Sequence, residues 1–331
     1  MKRRNLLGFA IAALAAPSSL LAQQPGRVYR IGFFGTAAPT ADNLRISFEP
    51  FRQSLRERGW IEGQNIVIEQ RWAEGKVERY AEIAAELVRL KVDLIATSIV
   101  GAALAAKKVT QTIPIVAALA SDPVAQGLVQ SYARPGGNVT GLAEEAGPLH
   151  EKALEFLIDA VPSARRVAVL TNPADATATR AMLQRFALAA GAGSLKVEFR
   201  PIEVAKPEEL DGAFARMKGG RVDALIIERS VMFYIHRVRI AELAVKHRLA
   251  TSSRLFGFAE AGALMTYHVD VADNWRRAAG YVDKILRGAK PGELPFEQPT
   301  KFQLTVNLKT ARALGIKLPQ SLLLRADRVI E

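Results

Sequence analysis

Hydrophobic and polar positions along the 331-residue chain follow two rhythms. Short apolar or β-branched runs alternate with longer stretches whose apolar positions recur at helical spacing. Val28 to Phe34 reads as a strand ending at Gly35-Thr36-Ala37, and Phe48, Phe51 and Leu55 mark a helix running to Gly59. Ile66-Val67-Ile68 reads as a second strand, and Tyr80, Ile83, Ala84, Leu87 and Val88 form one face of a helix. Val92 to Ala96 is a third strand, Ala102 to Val109 a helix, and Ile113 to Ala118 a fourth strand. An acidic turn at Ser121-Asp122-Pro123, a short helix and the glycine-rich return Arg134 to Gly141 follow.

The pattern then restarts. Leu154, Leu157, Ile158 and Val161 predict a helix closed by Pro162, then a strand over Arg166 to Leu170 leading to Thr171-Asn172-Pro173. A helix carrying Met182, Phe186 and Ala190 precedes a strand over Val197 to Ile202, and a helix with Leu210, Phe214 and Met217 precedes another over Ala224 to Ile227. Ile240, Leu243 and Ala244 lie on a further helix, and Ala263 to Tyr267 closes the set. Strand–helix alternation implies parallel sheets with helices on both faces. Two doubly wound parallel-sheet α/β lobes of similar size are the simplest account. The tail predicts a helix from Trp275 to Gly288, a strand at Phe302 to Val306, a helix at Leu308 to Leu314 and a last strand at Leu322-Leu323-Leu324. These pieces are too small for a core of their own, so they complete the lobes across a multi-crossover hinge. The expected division is 28–143 plus 269–292 for lobe 1 and 144–268 plus 300–331 for lobe 2.

The first 22 residues stand apart from this pattern. Lys2, Arg3 and Arg4 precede an apolar run from Leu6 to Ala16, and small residues lead to a cut near Ala22, as in a secretory signal. Arg3-Arg4 also fits the twin-arginine route, so the export path stays open. Losing this segment lowers the formal net charge from +12 to +9. The remaining Lys and Arg residues are interspersed with Glu and Asp, as at Arg52, Arg56, Glu57 and Arg58, without a basic, aromatic-rich block for nucleic acid. There is no cysteine, hence no disulfide and no lipid-modified cysteine, and no later run is apolar enough to span a bilayer. A soluble periplasmic protein that does not span the membrane is expected.

In open parallel sheets a ligand sits outside the carboxyl ends of the strands. The residues assigned to those ends are Thr36, Ser98, Ala120, Asp122, Asn138 and Thr140 in the first unit, and Asn172, Glu228 and Tyr267 in the second. Helices that begin after such turns offer unpaired N–H groups to a carboxylate. Asp122 or Glu228 would meet an ammonium, which together would suit an amino acid or a similar small carboxylate. Each residue has a plainer use as well. Asp122, Ser98 and Thr36 are also helix-cap types, and Asn138 suits a tight turn. Glu228 is also a partner for Arg229 or Arg254, and Tyr267 and Phe34 are also core residues.

Several segments together resemble the ABC-transporter substrate-binding proteins of the group that includes tryptophan- and tyrosine-binding lipoproteins. They are Leu55 to Ile66, Arg71 to Gly75, Thr112 to Val116, Ser121-Asp122-Pro123, Arg134 to Gly141, Lys284 to Pro291, Asn307 to Ala311 and Leu322 to Asp327. The resemblance implies a type I periplasmic-binding fold with three crossovers, a ligand closed between the lobes, delivery to an inner-membrane ABC permease, and a monomer. By position it points to Ser98, Ala120, Asp122 and Asn138 for the ligand. The chain departs from the family pattern at Ile99-Val100-Gly101 and at Gly262 to His268, both in segments that would face the pocket.

Rival classes are an exported enzyme and a receptor subunit for a signalling kinase. The four histidines (His150, His236, His247, His268) lack metal-ligand spacing, and Gly191-x-Gly193 lacks a third glycine. No Walker loop or nucleophile elbow is present. No cofactor, metal or catalytic residue is assigned.

Overall fold

The computed structural model describes residues 27–144, 149–173, 180, 183–184, 186 and 197–331. The predicted signal segment, the Gly191-x-Gly193 stretch and most of the predicted helix around Met182 and Ala190 lie outside the described residues.

Five parallel strands make the first sheet, in the order β2 (Ile66–Trp72), β1 (Tyr29–Gly35), β3 (Leu94–Ile99), β4 (Ile115–Ala120) and β5 (Val139–Ala143). The central strands β3 and β4 are buried on both faces almost throughout, as parallel sheets require. One face packs on α1 (Glu49–Glu57) and the other on α2 (Tyr80–Arg89) and α3 (Val100–Val109).

Beyond β5 the chain enters the second lobe at α4 (Leu149–Ala160). Its seven-stranded sheet contains β6 (Arg166–Thr171), β7 (Glu198–Glu203), β8 (Ala224–Ile227), β9 (Ala250–Ser253), β10 (Met265–Val269), β11 (Phe302–Asn307) and β12 (Arg328–Ile330), in the order β12-β11-β10-β9-β8-β6-β7. Among the described residues only its β10–β11 pair is antiparallel. α5 (Leu210–Gly219), α6 (Val231–Ile235) and α7 (Arg237–Lys246) line one face. α4, α9 (Leu308–Leu314) and α10 (Gln320–Arg325) cover the other.

α8 (Val271–Leu286) returns to the first lobe, where Trp275, Ala278, Tyr281, Val282 and Ile285 join its core. Asp270 caps α8, its carboxylate accepting from the Asp273 N–H at 2.9 Å. The chain thus passes between the lobes after Glu144, at Asp270 and again before Lys301, and these passages are tied together. The Asp270 N–H donates to the Lys301 carbonyl at 3.0 Å, the Ala143 N–H to the Glu297 carbonyl at 2.8 Å and the Glu297 N–H to the Gly141 carbonyl at 3.0 Å. Gly141 lets two strands close up: a Cβ there would stand 2.0 Å from the Ala117 carbonyl oxygen.

The tail differs from its predicted form. Leu322 to Leu324 belong to α10, because Pro319 starts a helix there and three apolar residues do not distinguish the two periods. The last strand is instead Arg328–Ile330 on the sheet edge. The predicted short helix after Asp122 is a set of turns. β9 is an additional strand, its Ala-Thr-Ser-Ser sequence being too weakly apolar to signal one.

Candidate functional site

A cavity of about 690 Å³ lies between the lobes, lined by residues of both. In the first lobe its wall forms at the carboxyl ends of β1, β2 and β3. The hydroxyls of Thr36 and Ser98 stand 2.8 Å apart in mutual hydrogen bond, so one O–H proton is shared and the other is left to give. The next residues open α3, whose first turn carries no side-chain cap and no acidic residue. Its leading N–H groups are therefore directed at the cleft. Tyr80, the first residue of α2, sets its ring edge-on against Phe34 at 5.6 Å. Trp72 lies across the end of β1, where a Cβ on Gly35 would stand 2.1 Å from its ring. Trp275, Ile46 and Leu119 extend the apolar wall.

The second lobe brings charges of both signs to the cleft. Glu228, just past β8, is buried, and its Oε1 accepts the Arg229 N–H at 2.9 Å. Its Oε2 has no hydrogen-bond partner among the described residues, lying 3.8 Å from His150 Nε2, while Arg254 Nη1 lies 3.7 Å from Oε1. Arg254 also contacts the His150 ring. Arg229 reaches across to Glu144 at 2.5 Å and to the Ser121 hydroxyl at 3.3 Å. The carboxylates Glu144 and Glu228 thus face the guanidinium groups of Arg229 and Arg254.

The lobes also meet at the mouth of the cleft. The Tyr234 hydroxyl donates to Asn43 Oδ1 at 2.7 Å, and Asn43 is itself held by the Ala38 carbonyl at 2.7 Å. A Cβ on Gly75 would stand 2.6 Å from Ile235 Cδ1. Burial pushes the Tyr80 and Tyr234 hydroxyls above the usual tyrosine value, so both are donors at neutral pH.

Of the residues singled out from the sequence, Thr36, Ser98, Asp122 and Glu228 line the cavity. Asp122 is exposed there, with a φ of 38°, and its carboxylate accepts the Ala125 N–H at 3.1 Å, closing a turn. Asn138 precedes β5, at the opposite end of the sheet from the cleft, because the glycine-rich turn enters the strand rather than leaving it. Its amide donates to the Thr110 and Ile113 carbonyls at 3.1 and 2.8 Å. Thr140 donates to the Leu294 carbonyl at 2.9 Å. Ala120 is buried in the first-lobe core, and its carbonyl accepts the Glu144 N–H at 3.1 Å. Tyr267 packs between Phe156 and Phe302 in the second lobe, away from the cleft. Asn172 is buried just past β6 and does not line the cavity. The sequence did not single out Tyr80, Trp72, Asn43, Glu144, His150 or Tyr234 for the site.

Among the described residues no group of three or more His, Cys, Asp or Glu side chains is set to hold a metal ion. No described helix is long and apolar enough to cross a membrane.

Two α/β lobes joined by three passages around a closed cleft define a binding protein of the type I periplasmic-binding fold. Residues 40–330 match the family model described as ABC transporter substrate binding protein, and the chain belongs to that family. A curated relative named "Tyrosine-binding protein", from Clostridioides difficile (strain R20291), is 25% identical over 267 residues, covering 81% of this chain and 76% of the relative. The ABC domain from Streptococcus pneumonia solved with L-Trp superposes with a TM-score of 0.81 at 23% identity, over 92% of this chain and all of that one. A ligand-free, open substrate-binding protein with adhesive properties from Clostridium difficile, also 23% identical and over 92% of this chain and 99% of that one, gives 0.72. The chain is thus an ABC-transporter substrate-binding protein, related to proteins that bind small molecules.

Proposed function

We infer that this protein is exported to the periplasm, where it captures an amino acid or a similar small carboxylate with an apolar side group. It then delivers that solute, unchanged, to an ABC permease in the inner membrane. The observation that carries this reading is the pairing of opposite groups across one closed, apolar-walled cleft. The uncapped start of α3 with the Thr36–Ser98 hydroxyls suits a carboxylate, and the buried Oε2 of Glu228, which makes no hydrogen bond among the described residues, suits an ammonium. A zwitterion adds no net charge to a centre where two carboxylates already face two guanidinium groups. The rings of Trp72, Tyr80 and Trp275 supply area for its side group. The names of the related proteins, tyrosine-binding in one case and bound to L-Trp in another, agree with a solute of this kind.

Capture follows a two-state closure, in which a solute touching both lobes favours the closed form. The protein works as a monomer without a cofactor, and its N-terminal segment is removed on export. The test is a thermal-shift panel of amino acids, small carboxylates and nucleosides on the chain starting at Gln23, with recovery of the bound compound. A zwitterionic amino acid at a hundred times its dissociation constant is expected to add about 2.7 kcal/mol of stability and to be recovered intact. Stabilisation by nucleosides alone, or recovery of an altered compound, would overturn the reading.

A further inference from the structure

We propose that Tyr80 is a specificity-determining residue, whose phenolic hydroxyl donates to the carboxylate of the bound solute beside the start of α3. The proposal rests on the amino-acid reading above and adds the side chain that makes the carboxylate a requirement. Periodicity along α2 assigns Tyr80 to the buried face with Ile83, Ala84 and Leu87, and its ring is indeed buried. Its hydroxyl, however, has no hydrogen-bond partner among the described residues although the residue is only 4% exposed and lines the cleft. A core position needs no such group, since phenylalanine fills the same space without an unpaired donor.

Packing fixes where the hydroxyl lies. Phe34 holds one side of the ring, and a Cβ built on Gly101 would stand 3.6 Å from Tyr80 Cε2, the carbon next to the one bearing the oxygen. Gly101 is the second residue of α3, so the phenol stands over the uncapped first turn of that helix. The N–H groups of that turn, the free proton of the Thr36–Ser98 pair and the phenol are all donors. A carboxylate, with two oxygens and about four lone-pair sites, can accept from all three. Burial keeps the phenol protonated at neutral pH, and the Arg229 charge only partly offsets that effect.

The test is calorimetric titration of the chain from Gln23 and of its Tyr80→Phe variant. The probes are L-tryptophan, L-tyrosine and L-leucine, with tryptamine, tyramine and isoamylamine as counterparts lacking the carboxylate. The variant is expected to bind the amino acids roughly ten- to a hundredfold more weakly, the range for a hydrogen bond to a charged group. It should bind the amines as the parent does, and melt at the parent's temperature or above. Equal affinity of parent and variant for the amino acids would overturn the role of Tyr80 alone. A matching loss for the amines, or a lowered melting temperature, would show that the hydroxyl serves the fold and would also overturn it. A parent that binds none of the three amino acids would overturn both this proposal and the reading on which it rests.

Discussion

The two lobes present opposite chemistry to one cleft. The first offers hydroxyls, backbone N–H groups and aromatic rings, and the acidic side chains it sets at the strand ends are already engaged: Glu74 faces Arg79, Asp122 closes a turn and Glu144 meets Arg229. The second offers Glu228, Arg229, Arg254 and His150, held close together at or just beneath the surface. A neutral wall can be built stiffly from packed rings, because it carries no desolvated charge. A charged wall must be balanced group by group, since a buried charge without its partner is costly. Stiff neutral packing therefore resides mainly in the first lobe and electrostatic sensitivity in the second.

Breaking each lobe in its own currency separates these roles. Trp275→Ala removes the ring that lies 4.9 Å from Phe33 in the first-lobe core. It is expected to lower the unfolding free energy by about 4 kcal/mol in urea titration, with no dependence on salt. Glu228→Ala strips the carboxylate from Arg254 and His150 in a buried cluster, at an expected cost of about 3 kcal/mol. Glu228→Gln, which keeps the shape and removes only the charge, should cost about as much, which would distinguish the two lobes; a clearly smaller loss in the isosteric variant would erase the contrast.

A smaller effect comes from pH. All four histidines lie between residues 150 and 268, within the second lobe's stretch of the chain. Burial holds His268 below the usual histidine value, although the hydrogen bond to the Val269 carbonyl opposes this. A depressed folded value means that the unfolded chain binds the proton first. Stability is then complete above about pH 6.5 and falls as pH drops below it, by at most about 1.4 kcal/mol per unit. His268→Gln should flatten this slope in urea titrations at pH 7 and 5, and a slope unchanged by the substitution would refute the assignment. Glu155, held low chiefly by its hydrogen bond to Lys152, loses its contribution only below the ordinary carboxylate range, so the two effects separate by pH.

The lobes themselves were legible because doubly covered strands appear as short unbroken apolar runs, as in Ile115 to Ala120. So were Thr36, Ser98 and Glu228, which sit where a strand ends and a helix begins. Asn138 and Thr140 show the limit of that reasoning. A glycine-rich turn looks the same whether it precedes or follows a strand, and here it precedes β5. Tyr80 shows another limit, since helical spacing tells which face is inward but not whether the end of that face borders a cavity. The grouping of His150, Glu228 and Arg254 depends on three separate elements meeting, and no local spacing announces it.

The ties among the three passages give the protein a strap of three plies rather than three loose cords. Cutting any one ply by a protease would leave the other two fastened by their own backbone contacts and by α8 packed into the far lobe. The halves would stay in register, and the bite of the clam would outlast a nick in its ligament.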